Sequence, residues 1–187
     1  MIEIRWHGRG GQGAKTASLL LADVAFSTGL YVQGFPEYGP ERMGAPITAY
    51  NRLSQEKISI YSNIYNPNIV VVVDESLVGP VDVTAGAQDA IIVNTHRSPA
   101  EVKALLGGFD GDIYTIDAGA VSLKHIGRNV PNTPLLAAVV KVSGIMDEAT
   151  FFENMHGSFA HKFASKPEVI EGNLNAIREA WKEVRKL

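Results

Sequence analysis

The sequence predicts an α/β protein with a mostly parallel sheet, a Rossmann-like opening β-α-β unit and a helical C-terminal third. Three features predict it. A strand-like run, Ile2 to Trp6, meets four glycines within six residues (Gly8, Gly10, Gly11, Gly13) and then an Ala- and Leu-rich run, Ala14 to Phe26. Three apolar runs rich in β-branched residues, Ile69 to Val73, Ala90 to Val93 and Ile113 to Ile116, each lead into a polar residue. The last third carries helix-starting and helix-stopping residues at helical spacing.

Each element follows from its own residues. Ile2, Ile4 and Trp6 alternate with Glu3 and Arg5, as in a strand. The apolar run after the glycines covers most of a helix circumference, which predicts a largely buried helix, and Gly29 is a fitting stop. Leu30 to Gln33 reads as a second strand. Phe35 to Pro46 holds three prolines and two glycines, so it reads as a structured loop. Ile47 to Arg52 alternates again, and Ile58 to Tyr61 is expected to pair with it as a hairpin around a Ser54 to Lys57 turn.

The three later apolar runs read as parallel strands buried on both faces. Their end residues, Asp74, Asn94 and Asp117, fall where open α/β sheets place ligands, although turn and cap roles are commoner for such residues. Between these strands, Ser76 to Val78 and Pro99 to Leu106 are helical candidates. Ala118 to Ile126 reads as a helix closed by Gly127. Thr133 is an expected N-cap, with Pro134 following and Gly144 as the stop. Asp147 caps a helix through Phe151, Phe152 and Met155. Pro167 opens the last helix, whose apolar stripe is Ile170, Leu174, Ile177, Trp181 and Val184.

Composition narrows the function classes. At 187 residues, with no linker or repeat, the chain reads as a single domain, 1–187. Its formal net charge of −3 and lack of a basic block argue against nucleic acid. With no cysteine, it has no disulfide and no cysteine ligands for zinc or an iron–sulfur cluster. The five histidines lack metal-ligand spacing, so no metal site is expected; His7 stands out because it abuts the glycines. Glu3 and Arg5 interrupt the first apolar run, and no run approaches the roughly 20 residues of a membrane helix. A cytoplasmic protein is expected, with no membrane partner.

Gly8-Arg9-Gly10-Gly11-Gln12-Gly13 satisfies G-x-G-x-x-G between a strand and a helix, the context of a dinucleotide site. The acidic ribose ligand that should end the second strand is missing; Glu37 is the nearest acid. Lys15-Thr16 resembles a P-loop ending, but Ala14 intervenes and turns the lysine by about 100° on a helix. Both points argue against a nucleotide enzyme. No nucleophile–base pattern is present, and no catalytic residue is assigned. The aromatics and charges at Phe35, Tyr38, Glu41, Arg42 and Met43 fit an interface; dense packing of a loop is the simpler alternative.

Two segments carry a family likeness. Arg5-Trp-His-Gly-Arg-Gly-Gly-Gln-Gly13, followed by Val32-Gln-Gly-Phe-Pro-Glu-Tyr-Gly-Pro-Glu-Arg42 and Gly44-Ala-Pro46, resembles the gamma subunit of pyruvate (2-oxoacid):ferredoxin oxidoreductases. The likeness continues through Val70 to Asp74, Ile91 to Thr95, Asp117-Ala118 and Asn132 to Ala137. Met43 departs from it, standing where many relatives are expected to carry a second basic residue. That bears on which 2-oxoacid is used, not on the family.

The resemblance implies a three-layer α/β/α fold and a place beside alpha, beta and delta subunits. The complex would oxidatively decarboxylate a 2-oxoacid with CoA to acyl-CoA, CO2 and reduced ferredoxin. Thiamine diphosphate, Mg2+ and [4Fe-4S] clusters would sit on the partner subunits, and this chain would be an accessory subunit shaping the active-site or CoA approach. Gly8, Arg9, Gly10, Gly11, Gln12 and Gly13 would contact a CoA phosphate. Phe35, Tyr38, Glu41, Arg42 and Met43 would meet the partners. The two loops should leave the same sheet edge, each following one strand of the opening unit. The alternatives are a stand-alone NAD(P)- or flavin-binding protein and a self-contained homodimeric interaction module.

Overall fold

The computed structural model describes residues 1–37 and 43–187. In chain order these form β1 (Ile2–Arg9), α1 (Ala14–Phe26), β2 (Tyr31–Pro36), β3 (Pro46–Ser54), β4 (Ile69–Val72), a 3-10 turn (Glu75–Leu77), β5 (Ala90–Asn94), α2 (Pro99–Leu105), β6 (Asp112–Ile116), α3 (Ala118–Ile126), α4 (Asn132–Ser143), α5 (Glu148–Lys162), α6 (Pro167–Glu183) and β7 (Arg185–Lys186).

One seven-stranded sheet runs in the order β2-β3-β1-β4-β5-β6-β7. β1, β4, β5 and β6 pair in parallel, while β3 and β7 pair antiparallel to their neighbours. The α/β class and the parallel centre are as the sequence predicts. The opening unit is different in one respect: β3 lies between β1 and β2. Since β3 is antiparallel to both, β1 and β2 still point the same way, and their following loops leave the same edge.

That insertion overturns the expected Ile58–Tyr61 hairpin. Both edges of β3 are already hydrogen-bonded, so residues 58–61 cannot pair with it and run as irregular chain. The Ile60 carbonyl instead accepts from the Gln33 amide at 2.9 Å. Phe35 and Pro36 belong to β2, and Pro46 opens β3, so the loop between them is shorter than expected. Proline is tolerated at these strand ends, and β2 is an edge strand.

The two faces of the sheet are covered unequally. Ile4, Trp6, Ala49, Leu53, Val71 and Ile92 face a large apolar cluster shared with α1, α3, α4, α5 and α6. α4 is apolar on all sides, and Leu135 to Val140 are fully buried in it. Removing one such leucine side chain would cost about 2–5 kcal/mol. Val70, Val72, Ile91, Val93 and Ile113 face a thinner layer of α2, the Glu75–Leu77 turn and irregular chain.

Beneath β1–β3 that second face is polar. Arg52 is buried, pairs with Glu3 at 2.7 Å and lies over the Phe35 ring at 5.7 Å. The Phe35 ring stands 5.2 Å from that of Tyr50.

Helix boundaries follow local chemistry with small corrections. α1 ends at Phe26, and it is less buried than its composition suggests, since Leu19 and Phe26 are exposed. Pro131, not Thr133, precedes α4, because the helix starts two residues earlier; the Thr133 amide donates to Asn132 Oδ1. Gly127 and Gly144 close their helices in the left-handed region, and Asp147 caps α5. Ser98 and Glu101 form a capping box on α2. β7 is two residues long, too short for any sequence pattern to announce.

Thr115 on β6 is fully buried, and its hydroxyl has no partner among the described residues. A buried unpaired hydroxyl costs stability. Thr115→Val is expected to raise unfolding stability by about 1 kcal/mol in urea titration; a loss of stability would contradict that environment.

Candidate functional site

The chain leaves β1 toward β2 and β3 on one side, then crosses to β4 on the other. The crevice beyond the C-terminal ends of β1 and β4 is therefore a topological switch point, where open α/β sheets bind ligands. The glycine turn occupies its rim. A cleft of about 330 Å³ opens there, lined by Gly11, Gln12, Asp74, Asn94, Asp117 and Asn129 among others. On the turn's other side a cleft of about 430 Å³ lies between the start of α1, Met43 and Ile47.

Glycine suits the turn. A Cβ on Gly8 would lie 3.0 Å from that of Ala14, tighter than ordinary contact, so β1 and α1 would have to give by a few tenths of an ångström. Gly13 caps α1 in the left-handed conformation (φ 84°) and sits against Asn132. No acidic residue stands in the first turn of α1, leaving the positive end of the helix dipole without a compensating charge. Gly11 (φ 94°) faces open space.

A closed circuit of side chains fixes this turn. The Arg9 amide donates to Gln12 Oε1 at 2.8 Å, and Gln12 Nε2 donates to Asp74 Oδ2 at 2.5 Å. Arg9 Nε stands 3.4 Å from the same carboxylate oxygen. Arg9 also donates to Ser76 Oγ (3.0 and 2.9 Å) and to the Gly44 carbonyl (3.1 Å). Partial burial raises the Asp74 pKa, but hydrogen bonds from Ser76 and Gln12 and the Arg9 charge outweigh it and hold the carboxyl below its usual range.

The two segments that the sequence singled out meet. The Gly10 amide donates to the Ala45 carbonyl at 2.9 Å, and the Gly44 amide donates to that of Gly10 at 3.2 Å. Met43 is 95% exposed beside this contact, whereas the Phe35 ring packs internally on Tyr50. Tyr38, Glu41 and Arg42 lie outside the described residues.

Asp74, Asn94 and Asp117 all line the switch-point cleft, and each also makes a local bond. Asp74 accepts from the Ser76 amide, Asn94 from that of Ala118, and Asp117 from that of Ala120, each at 2.9 Å. Glu75 and Thr95 share a short hydrogen bond in the same cleft. They follow Asp74 and Asn94 directly, so extending the strand-end rule by one residue would have found them. Asn129 arrives from the loop after α3, with no local signal. Among the described residues, no group of three or more His, Asp or Glu side chains is arranged to hold a metal.

Residues 3–183 match the family described as pyruvate ferredoxin/flavodoxin oxidoreductase. The chain belongs to that family. It is a gamma-type subunit of it. Pyruvate synthase subunit PorC of Thermotoga maritima is 44% identical, covering 98% of this chain and 95% of that protein. The common gamma subunit of the pyruvate and ketoisovalerate oxidoreductases of Pyrococcus furiosus is 42% identical, over 98% of this chain and 97% of its own. The crystal structure of the Thermotoga maritima pyruvate oxidoreductase subunit superposes with a TM-score of 0.85 at 41% identity, covering 99% of this chain and 97% of that one. The three-layer α/β/α fold is thus that of the family. No helix of the described residues is long and apolar enough to cross a membrane.

His7 has a structural place on the thinner-covered face of β1. It is buried, and its Nε2 accepts from Arg5 Nε at 3.0 Å. Arg5 is itself buried and donates to the carbonyls of Val83 and Ala85 at 3.3 and 2.6 Å. Burial and the Arg5 charge push the His7 pKa down from 6.5 to about 4. The unfolded chain therefore takes up this proton first as pH falls. The contribution is whole above pH 6.5 and drains toward pH 4, by up to about 3 kcal/mol. His7→Gln, which keeps an acceptor for Arg5, is expected to flatten that dependence in urea titrations at pH 7 and 4.5. Equal slopes in both proteins would contradict a buried neutral imidazole.

Proposed function

We propose that this chain is the accessory gamma subunit of a complex that oxidatively decarboxylates a 2-oxoacid with CoA to acyl-CoA, CO2 and reduced ferredoxin. Its partners in this reading are alpha, beta and delta subunits, with ferredoxin as electron acceptor. Those subunits carry thiamine diphosphate with Mg2+ and the [4Fe-4S] clusters, which fits a chain with no cysteine. Thiamine diphosphate supplies the carbanion chemistry and the clusters carry the electrons. This chain contributes a docking face and an approach for CoA.

The observation that carries the reading is the meeting of the two loops. Gly10 and Ala45, and Gly44 and Gly10, are joined amide to carbonyl, so the turn and the second loop present one face at the sheet edge. On that face the Gly8 to Gly13 turn precedes the unopposed dipole end of α1, which suits a CoA phosphate. Met43 stands out beside it as an apolar anchor for a partner chain.

A stand-alone NAD(P) or flavin protein fits less well. Glu37, the acid nearest the end of β2, accepts from the Tyr50 hydroxyl at 2.7 Å and so is engaged within the chain.

Affinity purification of the tagged chain from its native source tests the proposal. It is expected to bring down cluster-bearing and thiamine-binding chains together with CoA-dependent 2-oxoacid oxidation. Met43→Glu should lower recovery of those chains about tenfold, the scale of a lost interface anchor. Recovery of a bare homodimer, or stoichiometric NAD(P) or flavin binding by the isolated chain, would overturn it.

A further inference from the structure

Arg9 is the charged residue of the glycine turn, and a role as anion ligand or partner contact would leave its guanidinium turned outward. Its donors are used within the chain instead. Nε and Nη2 converge on Ser76 Oγ at 3.0 and 2.9 Å, Nη1 reaches the Gly44 carbonyl at 3.1 Å, and Nε faces Asp74 Oδ2 at 3.4 Å. These acceptors belong to two different segments: the end of the second loop, and the turn after β4, which Asp74 caps. The Arg9 backbone is tied into the same circuit through Gln12 and Asp74.

We infer that Arg9 is a positioning residue: it brackets the glycine turn to the Gly44–Ala45 segment and to the Glu75–Leu77 turn, and so holds the shape of the docking face rather than binding its ligand. The link to CoA rests on the function proposed above; the bracket itself does not. Only a planar fork of donors spans these acceptors together. Lysine would keep the charge and lose the bracket. Ser76 is exposed and uncharged, so Ser76→Ala leaves the Arg9 charge in place while removing the hydroxyl that joins Arg9 to the Asp74-capped turn.

The test uses the full-length chain and the assembled complex, with Arg9→Lys and Ser76→Ala. The Gly10 and Gly44 amides, which bond across the two loops, are the reporters in hydrogen-exchange mass spectrometry. Both variants are expected to speed exchange about tenfold in residues 9–13 and 43–46 together, with α5 unchanged. In the complex, Ser76→Ala should raise KM for CoA several-fold and leave kcat at saturating CoA unchanged. Wild-type exchange in Arg9→Lys, or faster exchange only beside the substituted residue, would overturn the bracket. Faster exchange in both segments with an unchanged KM would uphold the bracket and count against the CoA contact.

Discussion

The structure depends on how closely β1 and α1 meet. A Cβ at Gly8 would stand 3.0 Å from the Ala14 side chain and 3.4 Å from that of Val73, so a bare backbone lets the strand, the helix and the end of β4 converge without the displacement a side chain would force. That convergence puts the glycine turn on the rim of the switch point. It also brings the turn within hydrogen-bonding distance of Gly44 and Ala45. From there the Arg9, Gln12 and Asp74 circuit locks the local geometry.

The sheet then divides its labour. One face carries nearly all the apolar packing, with α4 buried on every side. The other face, under β1 to β3, is held by buried arginines whose donors are taken up by carbonyls, a carboxylate and a neutral imidazole. A buried cation is tolerated only with such a full set of partners. The edge above both faces is left to loops, and there the glycine turn and the Gly44–Ala45 segment join. Two open clefts flank that junction, one on each side of the glycine turn, an arrangement that suits the accessory role proposed above.

Much of this was legible in the sequence, for local reasons. Ile69 to Val73 and Ile113 to Ile116 announce buried strands, because few other structures hide β-branched residues on both faces. Gly127, Gly144 and Asp147 mark helix ends through backbone conformation and side-chain capping alone. The insertion of β3 was not legible, since strand order depends on which edges remain open after collapse. The same holds for the Ile58 to Tyr61 segment, whose expected partner β3 has both edges taken by β1 and β2. At the site, the glycines and the strand-end residues could be read directly. The partners of Arg9 could not: Asp74 and Ser76 come from a different crossover, and no local pattern links them to the turn. Tyr38, Glu41 and Arg42 were named from sequence and lie outside the described residues.

The most direct test of the docking face is site-specific photo-crosslinking in the assembled complex. A photoreactive residue at position 43 should crosslink to a catalytic partner chain. The same residue at position 105, exposed at the far end of α2, should not. Partner crosslinks from position 105 but none from position 43 would contradict the placement of the glycine-turn face against the rest of the enzyme.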